Sequence, residues 1–314
     1  MKSELLKNPL PYFVLFLCHL IWAVNTVIAK ITLFQVPVMS LLFIRFLIAS
    51  LILLPFLLRS QKRLHHIEKK HVPLLVLTGV FMIVFNNALG YSGLSLTTAI
   101  DASILGLFIP LISVLFGWWI LKEKIYRINL VGILFGFTGA VIIIGLPFIF
   151  GNVLTSERVL GNLLIVVSGI CVVIGFGLSK ELVRIYPPVV ITAFSFLIGM
   201  VAFFIPAVID FYKNPQWIAE LSQTGVFGIL FVSLFATVLA YLLVVWALER
   251  INLNKANIFH YIEPGITAVL AIPLLGESLS SSFLIGSAFV ILGVYWATLG
   301  KGEHHRVYHK PHHI

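Results

Sequence analysis

Glu263 is an acid followed directly by a proline inside an otherwise apolar run, "HYIEPGITAVLAIPLLGES" at residues 260–278. His260, Glu263 and Thr267 fall on one face of a helix at i−3, i and i+4. The acid lies about eight residues into the run, roughly 12 Å from its end at 1.5 Å per residue. An ionisable group at such depth normally faces a polar cavity or a partner. Two chemistries fit it equally: a substrate contact or proton-coupling site, and a neutral glutamic acid hydrogen-bonded to a neighbouring helix.

Other polar residues recur at helical spacing on apolar segments. His19, Trp22, Asn25 and Thr26 form one stripe; Asn86, Asn87 and Tyr91 a second; Ser233, Thr237 and Tyr241 a third at i, i+4 and i+8. Such stripes either join helices or line a cavity. Arg45 lies about seven residues into its run, where it can snorkel outward or pair with an acid or a substrate carboxylate, a snorkel or structural pair being preferred. Asp101 reads as a cap of its own helix. Cys18 and Cys171 sit in apolar runs with no metal-ligand spacing and read as packing residues.

The elements that must carry these residues follow from composition. Of 314 residues, 60% are hydrophobic and only 11% charged, against about 25% charged in soluble domains. A bilayer is the matching solvent. A hydrocarbon core of roughly 30 Å needs about 20 apolar residues of helix. Ten runs meet this: 11–30, 38–58, 72–92, 99–121, 128–149, 159–179, 188–210, 225–247, 256–275 and 282–300. The expected fold is therefore an all-α integral membrane protein of ten transmembrane helices, with a cytoplasmic His-rich tail at 301–314. The net charge of +9 is not a nucleic-acid signal, because the basic residues occupy short gaps between runs. With the N-terminus cytoplasmic, only Lys30, Arg158 and Lys213 fall in outer segments, and Arg45 lies within a span. The positive-inside rule then places both termini in the cytoplasm.

The chain also repeats itself. Ala102, Pro110, Leu121, Glu123, Gly132 and Gly139 recur 154 residues later as Ala256, Pro264, Leu275, Glu277, Gly286 and Gly293. Lys30, Pro37 and Phe46-Leu47-Ile48 recur at an offset of 150 as Lys180, Pro187 and Phe196-Leu197-Ile198. Two five-helix units result, 11–149 and 159–300. Five is odd, so the second unit starts on the opposite side of the membrane and the repeats are inverted, as in many secondary transporters. Pro110 and Pro264 should kink their helices as paired hinges. Glu123 and Glu277 each precede the next helix and read as caps of its positive end. Gly132 and Gly136 form a GxxxG, a close-packing pattern.

The segments "TTAIDASILGLFIPLISVLFGWWILKEK", "NKANIFHYIEPGITAVLAIPLLGES" and "FIRFLIASLILLP" together resemble the EamA-like family of the drug/metabolite transporter superfamily, from about residue 11 to 300. The resemblance implies a carrier of amino acids or other small metabolites, often an exporter, with a pocket surrounded by helices one, three, eight and nine. The polar residues on those helices then become candidate cavity residues: His19, Trp22, Asn25, Asn86, Asn87, Tyr91, Thr237, Tyr241, His260 and Glu263.

Competing classes fare worse. No HExxH or facing pair of aspartates suggests an enzyme. No cofactor is expected, and protons are a candidate coupling partner. His65, His66 and the tail histidines are cytoplasmic. A metal path would need ligands inside the membrane, where only His19, His260 and a few acids qualify, so no metal site is expected. The expectation is a multi-pass inner-membrane transporter that exports a small metabolite by alternating access. The alternative is a lipid or drug-like-molecule flippase of similar architecture and, behind it, a metal carrier. Tags fused to both ends should be protected from external protease in intact cells; cleavage of either would overturn the orientation.

Overall fold

The computed structural model describes residues 9–59, 67–119, 125–149, 156–248, 250 and 257–298, and among them there is no β-strand. Glu123, His65, His66 and the tail 301–314 lie outside the described residues. Seven helical segments are long and apolar enough to cross a membrane: Leu10–Leu33, Val38–Pro55, Lys69–Leu96, Ala99–Trp118, Ser156–Leu182, Pro188–Lys213 and Gln223–Val244. Arg127–Ile143, Phe259–Leu275 and Ser281–Ala297 are apolar but shorter. These ten segments follow the ten apolar runs in order. Their outward faces carry Phe13, Leu134, Val141, Val201, Ile205 and Val269, each more than 60% exposed. Large apolar side chains this exposed on helices of this length match a hydrocarbon surrounding. The chain is an all-helical, multi-pass membrane protein.

Several segments are compound. Helices α1 (Leu10–Leu33) and α2 (Val38–Arg59) are unbroken. The third segment runs as α3 (Val72–Gly79), a π-helical stretch Val80–Phe85, and α4 (Asn86–Leu96). The fourth is split into α5 (Ala99–Gly106) and α6 (Phe108–Trp119). Then come α7 (Arg127–Ile149), α8 (Ser156–Leu182) and α9 (Pro188–Lys213). The eighth segment repeats the pattern of the third: α10 (Gln223–Leu230), a π-helical stretch Phe231–Leu239, and α11 (Ala240–Leu248). A 3₁₀ segment Asn257–Ile262 leads into α12 (Glu263–Leu275), and α13 (Ser281–Thr298) closes the fold. The third polar stripe is thus not α-helical throughout: Thr237 Oγ1 donates to Val232 O, five residues back.

Each conserved-register proline lies beside a break. Pro110 offers no N–H to the carbonyl four residues earlier, that of Gly106, where α5 ends. Pro264 occupies the second position of α12, where the missing N–H costs nothing.

Two antiparallel seams hold the bundle. Along α2 and α9, Phe46 packs on Phe196 and Phe203, with ring centroids 5.6 and 5.8 Å away, and Phe43 packs on Phe204. At one end of this seam Asp210 Oδ2 accepts from the N–H groups of Met39 and Ser40, both at 3.1 Å, capping α2 from α9. Along α7 and α13 the contact is backbone on backbone. A Cβ on Gly132 would lie 2.5 Å from Gly293 O, and one on Gly293 would lie 2.7 Å from Gly132 O. The same reciprocity joins Gly139 and Gly286, at 2.6 and 2.8 Å. Gly136 meets Leu111 of α6 instead, so both glycines of the GxxxG serve packing. No side chain fits at these crossings. Gly139→Val and Gly286→Val should each cost about 1–3 kcal/mol, read as a lower Tm of the purified protein. Gly265→Ala, where the added methyl meets open space, should not lower it.

Candidate functional site

Residues from all four stripes of candidates meet in two buried polar clusters. The first joins α1 to the start of α12, which run parallel: Thr267 Oγ1 donates to Ala23 O at 3.3 Å, one turn beyond the His19–Glu263 contact. His19 Nδ1 lies 2.6 Å from Glu263 Oε1, and His260 Nδ1 approaches the same oxygen at 3.2 Å. Glu263 is the first residue of α12, so the helix N-terminus favours its carboxylate. The His19 ring is held by Phe259, stacked at 6.1 Å, and by the edge of Trp22 at 5.3 Å. Trp22 is fixed in turn, its Nε1 donating to Ala236 O in the second π stretch at 3.1 Å. His19 is 2% exposed, whereas the side chains of Glu263 and His260 keep 21% and 31%. The acid is therefore neither isolated nor sealed.

The second cluster centres on Arg45 of α2. Its Nε donates to Thr237 Oγ1 at 2.5 Å, and its Nη1 donates to Asn87 Oδ1 at 3.0 Å and to Tyr91 OH at 2.7 Å. The guanidinium lies against the rings of Phe46 and Tyr91, 5.2 and 5.1 Å from their centroids. Arg45 is buried and pairs with no carboxylate among the described residues. Snorkelling, expected from its depth, does not occur, because three neutral oxygens from α4 and the second π stretch supply its solvation.

Tyr241 connects the clusters. Its ring meets Trp22 edge-on at 6.0 Å and Phe196 at 5.4 Å. Beside it lies a small cleft lined by Leu53, Val189, Thr192, Phe196, Val238, Tyr241 and Leu242. Two candidate residues point elsewhere. Asn86 Nδ2 donates to Ser168 O on α8 and so ties helices together. Asn25 belongs to neither cluster, and its Oδ1 is buried without a hydrogen-bond partner.

Three other sequence readings are corrected. Glu277 caps a helix, but not the one that follows. Gly276 adopts φ +66°, and the Gly276 and Glu277 N–H groups close α12 onto Ile272 O and Ala271 O, a glycine C-cap. That turn aims the Glu277 carboxylate at α5, where it accepts from Ala99 N at 2.7 Å and Ile100 N at 2.9 Å. Ser280 caps α13 instead. Asp101 does not cap its own helix; Thr98 does, accepting from Asp101 N. The Asp101 carboxylate binds Arg158 at 2.8 Å and Asn162 at 3.3 Å, joining α5 to α8. Lys30 is not a loop charge: it is buried in the last turn of α1, and its Nζ donates to Leu94 O and Ser95 O at the end of α4. The partners of Arg45 and Lys30 were not legible in sequence, being 42 to 192 residues distant. The signal available was a charge set deep in an apolar run.

Comparison with known proteins decides the family. The model of the EamA-like transporter family matches residues 9–145 and again residues 159–299. The chain belongs to this family. A protein of Archaeoglobus fulgidus named "Uncharacterized transporter" is 28% identical over 298 residues, covering 93% of this chain and 98% of its own. The Bacillus subtilis "Uncharacterized transporter YetK" is 29% identical over 290 residues, covering 89% and 84%. A solved crystal structure, 17% identical, superposes with a TM-score of 0.60 over 93% of this chain and 97% of that one, which shows a shared fold. This EamA-like protein is a membrane transporter. Asn87→Ala and Thr237→Val should each cost about 1–2 kcal/mol. The double variant should deviate from additivity by at least about 0.5 kcal/mol, because both acceptors serve one guanidinium; denaturation of the four proteins measures the cycle.

Proposed function

We propose that this transporter exports an amino acid or related small metabolite by alternating access, with the substrate held between the Arg45 and Glu263 clusters. The carrying observation is Arg45. A guanidinium taken out of water without a counter-charge is costly, and a substrate carboxylate matches its fork of donors. Tyr91, Thr237, Asn87 and Tyr241 orient that end of the substrate. Trp22, His19, His260 and Glu263 meet the remainder.

The two units 11–149 and 159–300 are read as inverted repeats about an axis in the membrane plane. Support comes from pairs that share the repeat offsets. Gly132 and Gly286 are equivalents, as are Gly139 and Gly293, and each pairs with the other's equivalent across the antiparallel seam. Phe46 stacks near its own equivalent, Phe196. The π stretches Val80–Phe85 and Phe231–Leu239 occupy matching places. The breaks beside Pro110 and Pro264 are then the paired hinges on which the halves exchange conformations.

A second reading, transport of a lipid or drug-like molecule, draws on the almost wholly apolar lining of the cleft beside Tyr241. Proteoliposome transport with a panel of carboxylate-bearing, carboxylate-free and lipid substrates separates the two. Arg45→Gln should reduce carboxylate transport about tenfold or more, the equivalent of losing about 1.4 kcal/mol of binding, with Arg45→Lys intermediate. Equal transport of carboxylate-free analogues, or an unaffected Arg45→Gln, would overturn the amino-acid reading.

A further inference from the structure

We propose that His19, His260 and Glu263 form a binding site for a divalent first-row transition metal of the zinc class. The objection raised by the sequence was that few ligands lie inside the membrane. The fold brings those few together: one nitrogen from each imidazole and one carboxylate oxygen lie within 4.8 Å of one another.

Two of the three ligand edges lie close to those of a small tetrahedral ion, and the third, between the two imidazoles, is within 4.8 Å and closes by side-chain rotation. Metal–ligand distances near 2.0–2.1 Å place neighbouring ligands about 3.3–3.4 Å apart. The His260 Nδ1–Glu263 Oε1 edge, at 3.2 Å, already has this length. The His19 Nδ1–Glu263 Oε1 edge, at 2.6 Å, must open by about 0.7 Å, within reach of a side-chain torsion. The donor types select the ion. Two imidazoles and one carboxylate suit zinc, cobalt or nickel, whereas calcium and magnesium require mainly oxygen ligands. Three protein ligands leave a fourth position for water or a small molecule.

The ligands are also held in place. His19 is clamped by Phe259 and by Trp22, itself anchored on Ala236 O. Glu263 is fixed at the first residue of α12, and His260 stands one turn ahead on the 3₁₀ segment. Glu263 and His260 are only partly buried, while His19 is buried and forms the floor of the site. A bound ion therefore ties α1 to the start of α12.

Binding is an equilibrium property, so its test stands apart from the transport reading. The full chain is purified with His304, His305, His309, His312 and His313 changed to Asn, which removes tail ligands. Zn²⁺ alone is titrated by calorimetry, and Co²⁺ replaces it for visible spectroscopy. One equivalent should bind, and the Co²⁺ form should show the intense visible absorption of tetrahedral coordination. His260→Gln and Glu263→Gln, made in the same background, should each weaken binding tenfold or more and abolish that absorption. Their Tm in the absence of metal reports that they are folded; His260 is part-exposed, so this variant is the decisive one. The absence of a bound equivalent, or equal binding by a folded His260→Gln protein, would overturn the proposal.

Discussion

A guanidinium inside a bilayer protein must be solvated by the protein itself, and Arg45 imposes that demand on the whole bundle. Its side chain is buried, so the oxygens of Asn87, Tyr91 and Thr237 take the place of a hydration shell. Those oxygens come from segments far apart in the chain. Their convergence requires the π stretches, which alter the helical phase just before Asn87 and around Thr237. Once α2 is placed against these partners, the aromatic seam with α9 and the Asp210 cap on Met39 and Ser40 follow along the same helix.

The seam between α7 and α13 answers a different demand. Lipid supplies little hydrophobic drive for two apolar helices to associate, so close van der Waals packing has to do it. Glycine removes the Cβ and lets carbonyl oxygens approach the opposite backbone at four positions. Polar side chains elsewhere satisfy the helix ends that remain: Lys30 closes the carbonyl end of α4, Glu277 the amide end of α5, and Asn129 donates to Ala297 O near the end of α13.

Much of this was legible in the sequence because hydrocarbon is an intolerant solvent. Apolar run length located the helices, and the proline and glycine offsets located the breaks and the crossings. The acid deep in a greasy run, Glu263, does lie with His19 and His260. What escaped is the pairing of distant polar groups. Nothing local links Arg45 to Thr237, or Glu277 to Ala99. Reading Glu277 and Asp101 as caps of nearby helices followed sequence proximity, whereas the carboxylates found amides and cations from other segments. The spacing of the third stripe departs for another reason: counting residues by fours assumes an α-helix, and Ser233 and Thr237 lie where the helix widens.

Glu277 lies outside the bundle's hydrophobic interior, on the turn that Gly276 permits, and its carboxylate is the clasp that joins the end of α12 to the start of α5. A clasp made of two amide hydrogen bonds is worth about 0.5–2 kcal/mol, as helix caps are. Without that carboxylate, two amides at the start of the buried α5 would lose their acceptor, so one side chain on an outer turn helps fix where the fourth segment begins.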